Sequence, residues 1–430
     1  MELAPELSRL AKMLIDAEGI TGAQAEARLR AMTLEIVVGL GADSSAAQNA
    51  ILTAIAVGQR TFVGGVRVIL AKDAKLISSL PIGAASLREA ISMVGATVFE
   101  GAPSARIAIG RVGRGMNVGA HAWWADWKAG SSSQPRACGG GENPLAGIVA
   151  GASSVGRAFA KICGNEYPPE SEFDLWPKVD GREPPAFGSV YFPGALWLLG
   201  LGNLGQAIMW SLSALPYQRP SELNLVLQDR DQVTAENWGT SVLVRPGDYG
   251  DYKTAAGEQW GKARGFDVRR VDRWLDERQH VQDGDPRMAI CGFDNIDARK
   301  KIDGCGFDVV IDAGLGRKHS DYDVFKVTIF DRERLISDHF RDAEATELEP
   351  PHDYERLLGL DACGAAVFHG IAVAAPFVSA IAGATVVTRA IAISSGAAVP
   401  RNQVRRLSWE EPRTAAAIEV SSRSLLRVRQ

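Results

Sequence analysis

The 430 residues allow two or three domains with a large core, and a formal net charge of −4 removes electrostatics as a reason to expect nucleic acid or an acidic membrane as partner. The five cysteines (Cys138, Cys163, Cys291, Cys305 and Cys363) are scattered with no CxxC pair, which argues against structural zinc and for a reducing, cytoplasmic setting. Residues 1–30 carry charge throughout and do not read as a secretory signal.

Residues 1–58 read as a helical segment. Leu10, Met13, Leu14 and Ala17 make one apolar face, and residues 25–38 and 46–57 offer two more. Residues 59–165 alternate strand and helix. Strands are expected at 66–70, 106–110 and 117–124, a helix at Leu87–Val94, a Ser/Gly-rich loop at 129–142, and an Ala-rich helix from Asn143. This reads as a Rossmann-like layer without its glycine motif. The five prolines of 166–190 mark a linker. Residues 191–395 form the clear α/β unit. Residues 396–430, with seven arginines and three acids, read as a solvated tail. Residues 370–388 hold no charge but are rich in Ala and Gly, which suits a helix buried in a protein interface better than a membrane span.

Within the α/β unit, the apolar run 195–199 leads into Gly200, Gly202 and Gly205, spaced G-x-G-x-x-G. A helical pattern follows in Leu204, Ala207, Ile208, Ser211 and Leu212. Strand, tight turn and helix start are the context in which such glycines cradle a phosphate. Further strands are expected at 223–227, 288–291, 309–311 and 324–329. Asp229 ends the 223–227 strand, 24 residues beyond Gly205, where an acid accepts hydrogen bonds from ribose hydroxyls of NAD and ATP alike. Beyond it, Asn237 and Lys253 can supply donors to a triphosphate. Asp294 ends a strand in the crevice where open α/β sheets bind ligands, and its carboxylate can hold Mg²⁺ between phosphates.

The chain also repeats itself. Residues 144–159 align with 376–391 at a constant offset of 232, with seven of 16 positions identical, among them Pro144/Pro376, Gly151/Gly383 and Arg157/Arg389. Residues 106–110 echo 287–292. The reading is two related α/β halves, the first a degenerate, supporting copy.

D-x-D-x-V-x-x-x-N from Asp229 to Asn237, Lys253 sixteen residues later and Asp294-Asn295 with Arg299 resemble the ubiquitin-activating-enzyme superfamily, the ThiF/MoeB-like adenylyltransferases. The resemblance covers about 190–395. It implies an α/β, Rossmann-like adenylation domain, paired as an internal pseudo-dimer with the degenerate N-terminal α/β half behind the helical segment. The implied reaction adenylates, with ATP and Mg²⁺, the C-terminal carboxylate of a ubiquitin-like or sulfur-carrier protein, or of a peptide. By match, Gly200, Gly202, Asn203, Gly205, Asp229, Asp231, Asn237, Lys253 and Asp294 bind the cofactor, Asp294 holds the metal, and Lys253 and Asp294 are catalytic. Arg299 matches a family position and reads equally as a structural cation. Thioester-forming members carry a cysteine where Cys363 stands. Thr240 occupies the place of a family arginine, a role open to Arg245 or to an arginine lent by the first half. An NAD(P)-dependent oxidoreductase, a non-catalytic ATP-binding protein and a homodimer beyond the pseudo-dimer stay open at this point.

Overall fold

The computed structural model describes residues 4–113, 116–165, 167–179, 181–341, 372–415, 417–418, 420 and 425–429. The first half runs α1 (Ser8–Glu18), α2 (Gly22–Ala31), β1 (Thr33–Val38), α3 (Ser45–Thr61), β2 (Gly65–Leu70), α4 (Leu87–Val94), β3 (Ala105–Ile109), β4 (Ala120–Ala125), β5 (Lys128–Ser132), α5 (Pro144–Ile162) and β6 (Glu170–Asp174). The second half runs β7 (Tyr191–Pro193), β8 (Ala195–Leu199), α6 (Asn203–Ala214), β9 (Asn224–Gln228), α7 (Ala235–Trp238), α8 (Lys253–Arg264), β10 (Asp267–Val271), β11 (Met288–Cys291), α9 (Ile296–Lys300), β12 (Val309–Leu315), β13 (Val324–Asp331), α10 (Ile336–His339), α11 (Pro376–Ser394), β14 (Val399–Pro400), β15 (Asn402–Arg406), β16 (Arg413–Thr414), β17 (Ala417–Ile418) and β18 (Arg427–Arg429).

Two sheets organise the chain, and their orders match. The first is β2-β1-β3-β4-β5-β6 and the second β10-β9-β8-β11-β12-β13-β15-β16. In the first, β2, β1, β3 and β4 are parallel, and β5 and β6 add antiparallel. In the second, β10 to β12 are parallel, and β13 and β15 add antiparallel. Thus β1 corresponds to β8, β2 to β9, β3 to β11 and β6 to β15. The echo between 106–110 and 287–292 falls on the corresponding strands β3 and β11.

The repeated helices do the same work. Both α5 and α11 have 19 residues. A Cβ on Gly151 would lie 2.2 Å from the Ala50 carbonyl oxygen of α3, and one on Gly383 2.7 Å from the Ala207 carbonyl carbon of α6. These glycines let each helix press its backbone against its neighbour. Arg157 is buried and binds Ser131 and Ser171 on β5 and β6, and Arg389, 2% exposed, reaches Gln403 on β15 at 2.6 Å. The 370–388 expectation holds where described: α11 is buried along its whole length.

Four sequence expectations need correction. The helix expected over 25–38 ends at Ala31, and residues 33–38 are β1, a central strand; with α3 it takes the first sheet into the segment read as helical. The loop expected at 129–142 begins with strand β5, whose small residues answer to close packing: a Cβ on Gly130 would lie 1.8 Å from the Ser171 carbonyl oxygen. The 166–190 segment contains β6. The expected tail supplies β15 to the second sheet, where Arg405 is 1% exposed over the Phe173 ring. The first half also keeps part of a glycine turn. Gly39 and Gly41 follow β1 as Gly200 and Gly202 follow β8, and Ser44 stands in the place of Gly205.

Candidate functional site

The glycine turn after β8 meets its three requirements. Gly200 has φ +91°, in the region glycine tolerates. At Gly202 a Cβ would meet nothing within 4 Å, which leaves the backbone open to a ligand. A Cβ on Gly205 would lie 2.0 Å from the Gly200 carbonyl oxygen, so only glycine lets α6 start so close to the turn. No side chain caps α6. Its first N–H groups, with the positive end of the helix dipole, are therefore available to an anion. Both polar atoms of the Asn203 side chain are buried without a partner among the described residues, a donor and acceptor pair suited to a polar ligand at the turn.

Asp229 leaves β9 beside this turn. It accepts from the Leu201 N–H at 2.7 Å and from the Asp231 N–H at 2.8 Å. Burial pushes its carboxyl above the usual range, against the pull of Lys253 and these two N–H groups. Lys253 opens α8, and its Nζ lies 2.8 Å from Asp231 Oδ2. The adjoining Thr254 hydroxyl donates to Asp272, which anchors the helix start. Asn237 spends its carbonyl oxygen on the Thr234 N–H at 2.9 Å in the capping box of α7. Its amide NH₂ is the polar group left for a phosphate.

Asp294 follows β11 and is exposed. Arg299 braces the loop that carries it: Nε donates to the Phe293 carbonyl at 2.9 Å and lies 3.2 Å from the buried Asp312 carboxylate. Its place is that of a structural cation. Among the described residues no group of three or more His, Cys, Asp or Glu side chains could hold a metal. A Mg²⁺ here would rest on Asp294 and phosphate oxygens, the usual arrangement for that ion. Cys363 lies outside the described residues. Cys291 and Cys305 are core residues, and burial raises both thiols. His121 is buried with Trp123, Trp124 and Trp127 in and beside β4, in keeping with packing.

Two residues escaped the sequence reading. Arg9 on α1 donates to the Ala372 carbonyl at 3.2 Å. Burial lowers its pKa, the negative charges of Glu236 and Asp294 oppose this, and the like charge of Arg317 adds to it. Arg245, in contrast, lines a separate cavity. Gln206 is 1% exposed; its amide donates to the Leu201 carbonyl at 3.2 Å and accepts from the Leu243 N–H at 3.0 Å. It ties the glycine turn to the segment after α7. An extra arginine in an amphipathic helix and a glutamine within G-x-x-G-Q carry no sequence signal of these roles.

A family model described as the BilD C-terminal domain matches residues 192–397, and one described as the BilD N-terminal domain matches residues 33–169. A relative named "Bacterial E1-like protein BilD", from Collimonas sp. (strain OK412), is 31% identical over 406 residues, covering 87% of this chain and 86% of the relative. Among solved structures, E. coli MccB aligns at 14% identity with a TM-score of 0.35, over 52% of this chain and 62% of that one. E. coli MccB with ATP aligns at 12% identity with a TM-score of 0.33, over 52% of this chain and 64% of that one. This chain thus spans less than two thirds of those MccB chains. Both domains of one family, in order, and a relative matched over most of both lengths fix the assignment. The chain belongs to the BilD family of bacterial E1-like proteins.

Proposed function

We propose that this chain is an ATP-dependent activating enzyme of the ThiF type, acting in the cytoplasm. It adenylates the C-terminal carboxylate of a ubiquitin-like or sulfur-carrier protein, or of a peptide. The observation that carries the reading is the open glycine turn at Gly202, with an uncapped helix start behind it, Asp229 and Asp294 beyond the neighbouring strand ends and Lys253 at the start of α8. The E1-like relative supports the same reaction class.

In this reading, Asp229 receives the ribose hydroxyls, and the α6 N–H groups and Asn203 receive the phosphates. Lys253 exchanges its partner Asp231 for phosphate oxygens. Mg²⁺, held by Asp294, supplies neutralisation of the phosphate charge. A carboxylate oxygen of the acceptor attacks the α-phosphorus, the bond to the β-phosphate oxygen breaks, and pyrophosphate leaves. The chain's contribution is positioning and electrostatics. Arg9 takes the role left open by Thr240, delivered from the N-terminal helix of the internal pseudo-dimer. Where a thioester forms, the Cys363 thiolate displaces AMP from the acyl-adenylate.

The test is thermal stabilisation by ATP·Mg²⁺ against NAD and NADP, for the natural chain and Asp294→Ala, followed by pyrophosphate exchange with candidate acceptors. A ligand at 100 times its Kd stabilises a fold by about 2.7 kcal/mol. Stabilisation by ATP·Mg²⁺ alone, weakened in Asp294→Ala, supports the proposal. Stabilisation by NAD overturns it.

A further inference from the structure

A cavity of about 280 Å³ lies where α3 and α4 of the first half face the segment after α7 in the second. Arg60, Arg245, Gln59 and three tryptophans, Trp210, Trp238 and Trp260, contribute to its wall. Nearly all the rest of the lining is apolar.

Arg60 is 3% exposed and, among the described residues, forms no ion pair with an acid. Nη1 donates to the Ala56 carbonyl at 2.7 Å, and Nη2 donates to the Val242 and Val244 carbonyls at 3.2 and 3.0 Å. Nε has no partner. Burial lowers the Arg60 pKa, the Tyr249 phenol works against this, and the like charge of Arg245 adds to the lowering. The Trp260 indole N–H is a second buried donor without a partner, and its ring stacks on Trp210 at 5.5 Å. The Arg60 guanidinium lies over Trp238, its Cζ 5.5 Å from the ring centroid.

A buried guanidinium without a carboxylate is costly, as is a buried donor without an acceptor. Here two cations and two orphan donors share one hollow whose other surfaces are aromatic and aliphatic. An anionic acceptor group on a flat apolar body answers all of these features together. We propose that this cavity binds a small aromatic carboxylate, its charged group received by Arg60 and Arg245 and its ring lying against the tryptophans.

The site is separate from the glycine turn but connected to it. Arg60 holds the carbonyls of Val242 and Val244. The Leu243 N–H between them is held by Gln206, and Gln206 holds Leu201 of the turn. An occupant that shifts Arg60 therefore pulls on the loop tied to the turn.

The experiment is isothermal titration of the full chain with indole-3-acetate, neutral indole-3-acetamide and inorganic phosphate. The expected result is saturable binding of indole-3-acetate with a Kd of about 1 mM or tighter. The amide and phosphate should each bind at least about tenfold more weakly, since one charge-assisted pair is worth that much. Arg245 is exposed and forms no ion pair among the described residues, so Arg245→Gln tests the charge without emptying the core. It should weaken the acid about tenfold and leave the amide unchanged, whereas Lys253→Ala should leave both unchanged. No saturable binding of the acid, equal binding of acid and amide, phosphate binding as tight as the acid, indifference to Arg245→Gln, or loss in Lys253→Ala would overturn the proposal. None of these results depends on whether the glycine turn takes ATP.

Discussion

Replacing Gln206 with leucine removes two buried hydrogen bonds at once. The Leu201 carbonyl and the Leu243 N–H lose partners at 3.2 and 3.0 Å, in a place that water does not reach. An unsatisfied buried backbone group costs about 1–3 kcal/mol. The added methyl groups return about 1 kcal/mol of apolar burial. The net loss expected for Gln206→Leu is therefore about 1–5 kcal/mol, read from urea unfolding. Gln206→Glu sharpens the test. Its carboxylate can still accept from Leu243, but it sets an acceptor against the Leu201 carbonyl. Protonated, it regains a donor and imitates the amide. The glutamate variant should thus lose more stability at pH 7.5 than at pH 5, relative to the natural chain at each pH. A leucine variant within about 0.5 kcal/mol of the natural chain, the range of an ordinary surface change, would refute the idea that Gln206 joins the turn to the loop.

Valine at Gly151 or at Gly383 should destabilise by about 3 kcal/mol or more in either half, because each side chain would enter a neighbouring helix backbone; a mild effect at either site in urea unfolding breaks the equivalence of the two helix pairs. Arg9→Ala should lower pyrophosphate exchange about 100-fold, the scale of one lost donor to developing charge, with little change in acceptor KM. His339 is held below its usual pKa first by burial and then by Lys326 and Arg334, which stand 3.1 and 3.0 Å from its two ring nitrogens. The unfolded chain takes up this proton near pH 6.5 and the folded one resists it, so stability should fall as pH drops below about 6.5 and be insensitive to this group above it. His339→Asn should flatten that fall in urea midpoints taken at pH 7.5 and 5.5.

What could be read from the sequence depended on which physical signal marked each element. The strand, glycine turn and helix of 195–214 were legible because a fully buried strand is a plain apolar run and the glycines answer backbone requirements that nothing else meets. Residues 33–38 were not, because Glu35 interrupts the run. It is 2% exposed and held by Arg67 at 2.6 Å and by Arg106, so three charged residues on neighbouring strands satisfy one another inside a sheet. The same disguise covered β15, where Arg405 lies buried over an aromatic ring and donates to the Glu172 carbonyl at 2.8 Å. Periodicity counts such residues as solvent-facing, and only the strand pairing shows otherwise. Arg9 was out of reach for a further reason: it meets the Ala372 carbonyl across 363 positions of chain.

The comparison of the two halves gives the strongest reason to put the chemistry in the second. Where α6 begins on Gly202 with no side-chain cap, its counterpart α3 is capped by Ser44, which accepts from the Ala47 N–H at 3.2 Å. Where α8 begins uncapped with Lys253, α4 begins with Leu87 behind the capping Ser86, which accepts from the Glu89 N–H at 3.3 Å. After β11 come Gly292, Phe293 and Asp294; after β3 come Gly110, Arg111 and Val112. At Gly39, the partner of Gly200, an added Cβ would lie 2.2 Å from the Arg111 carbonyl oxygen, so chain already fills the space beside that turn. A helix end that satisfies its own N–H groups has no need of an anion, and one that leaves them open does. Each half closes the same fold, but the first completes its polar ends from within, and the second leaves them for a ligand to complete.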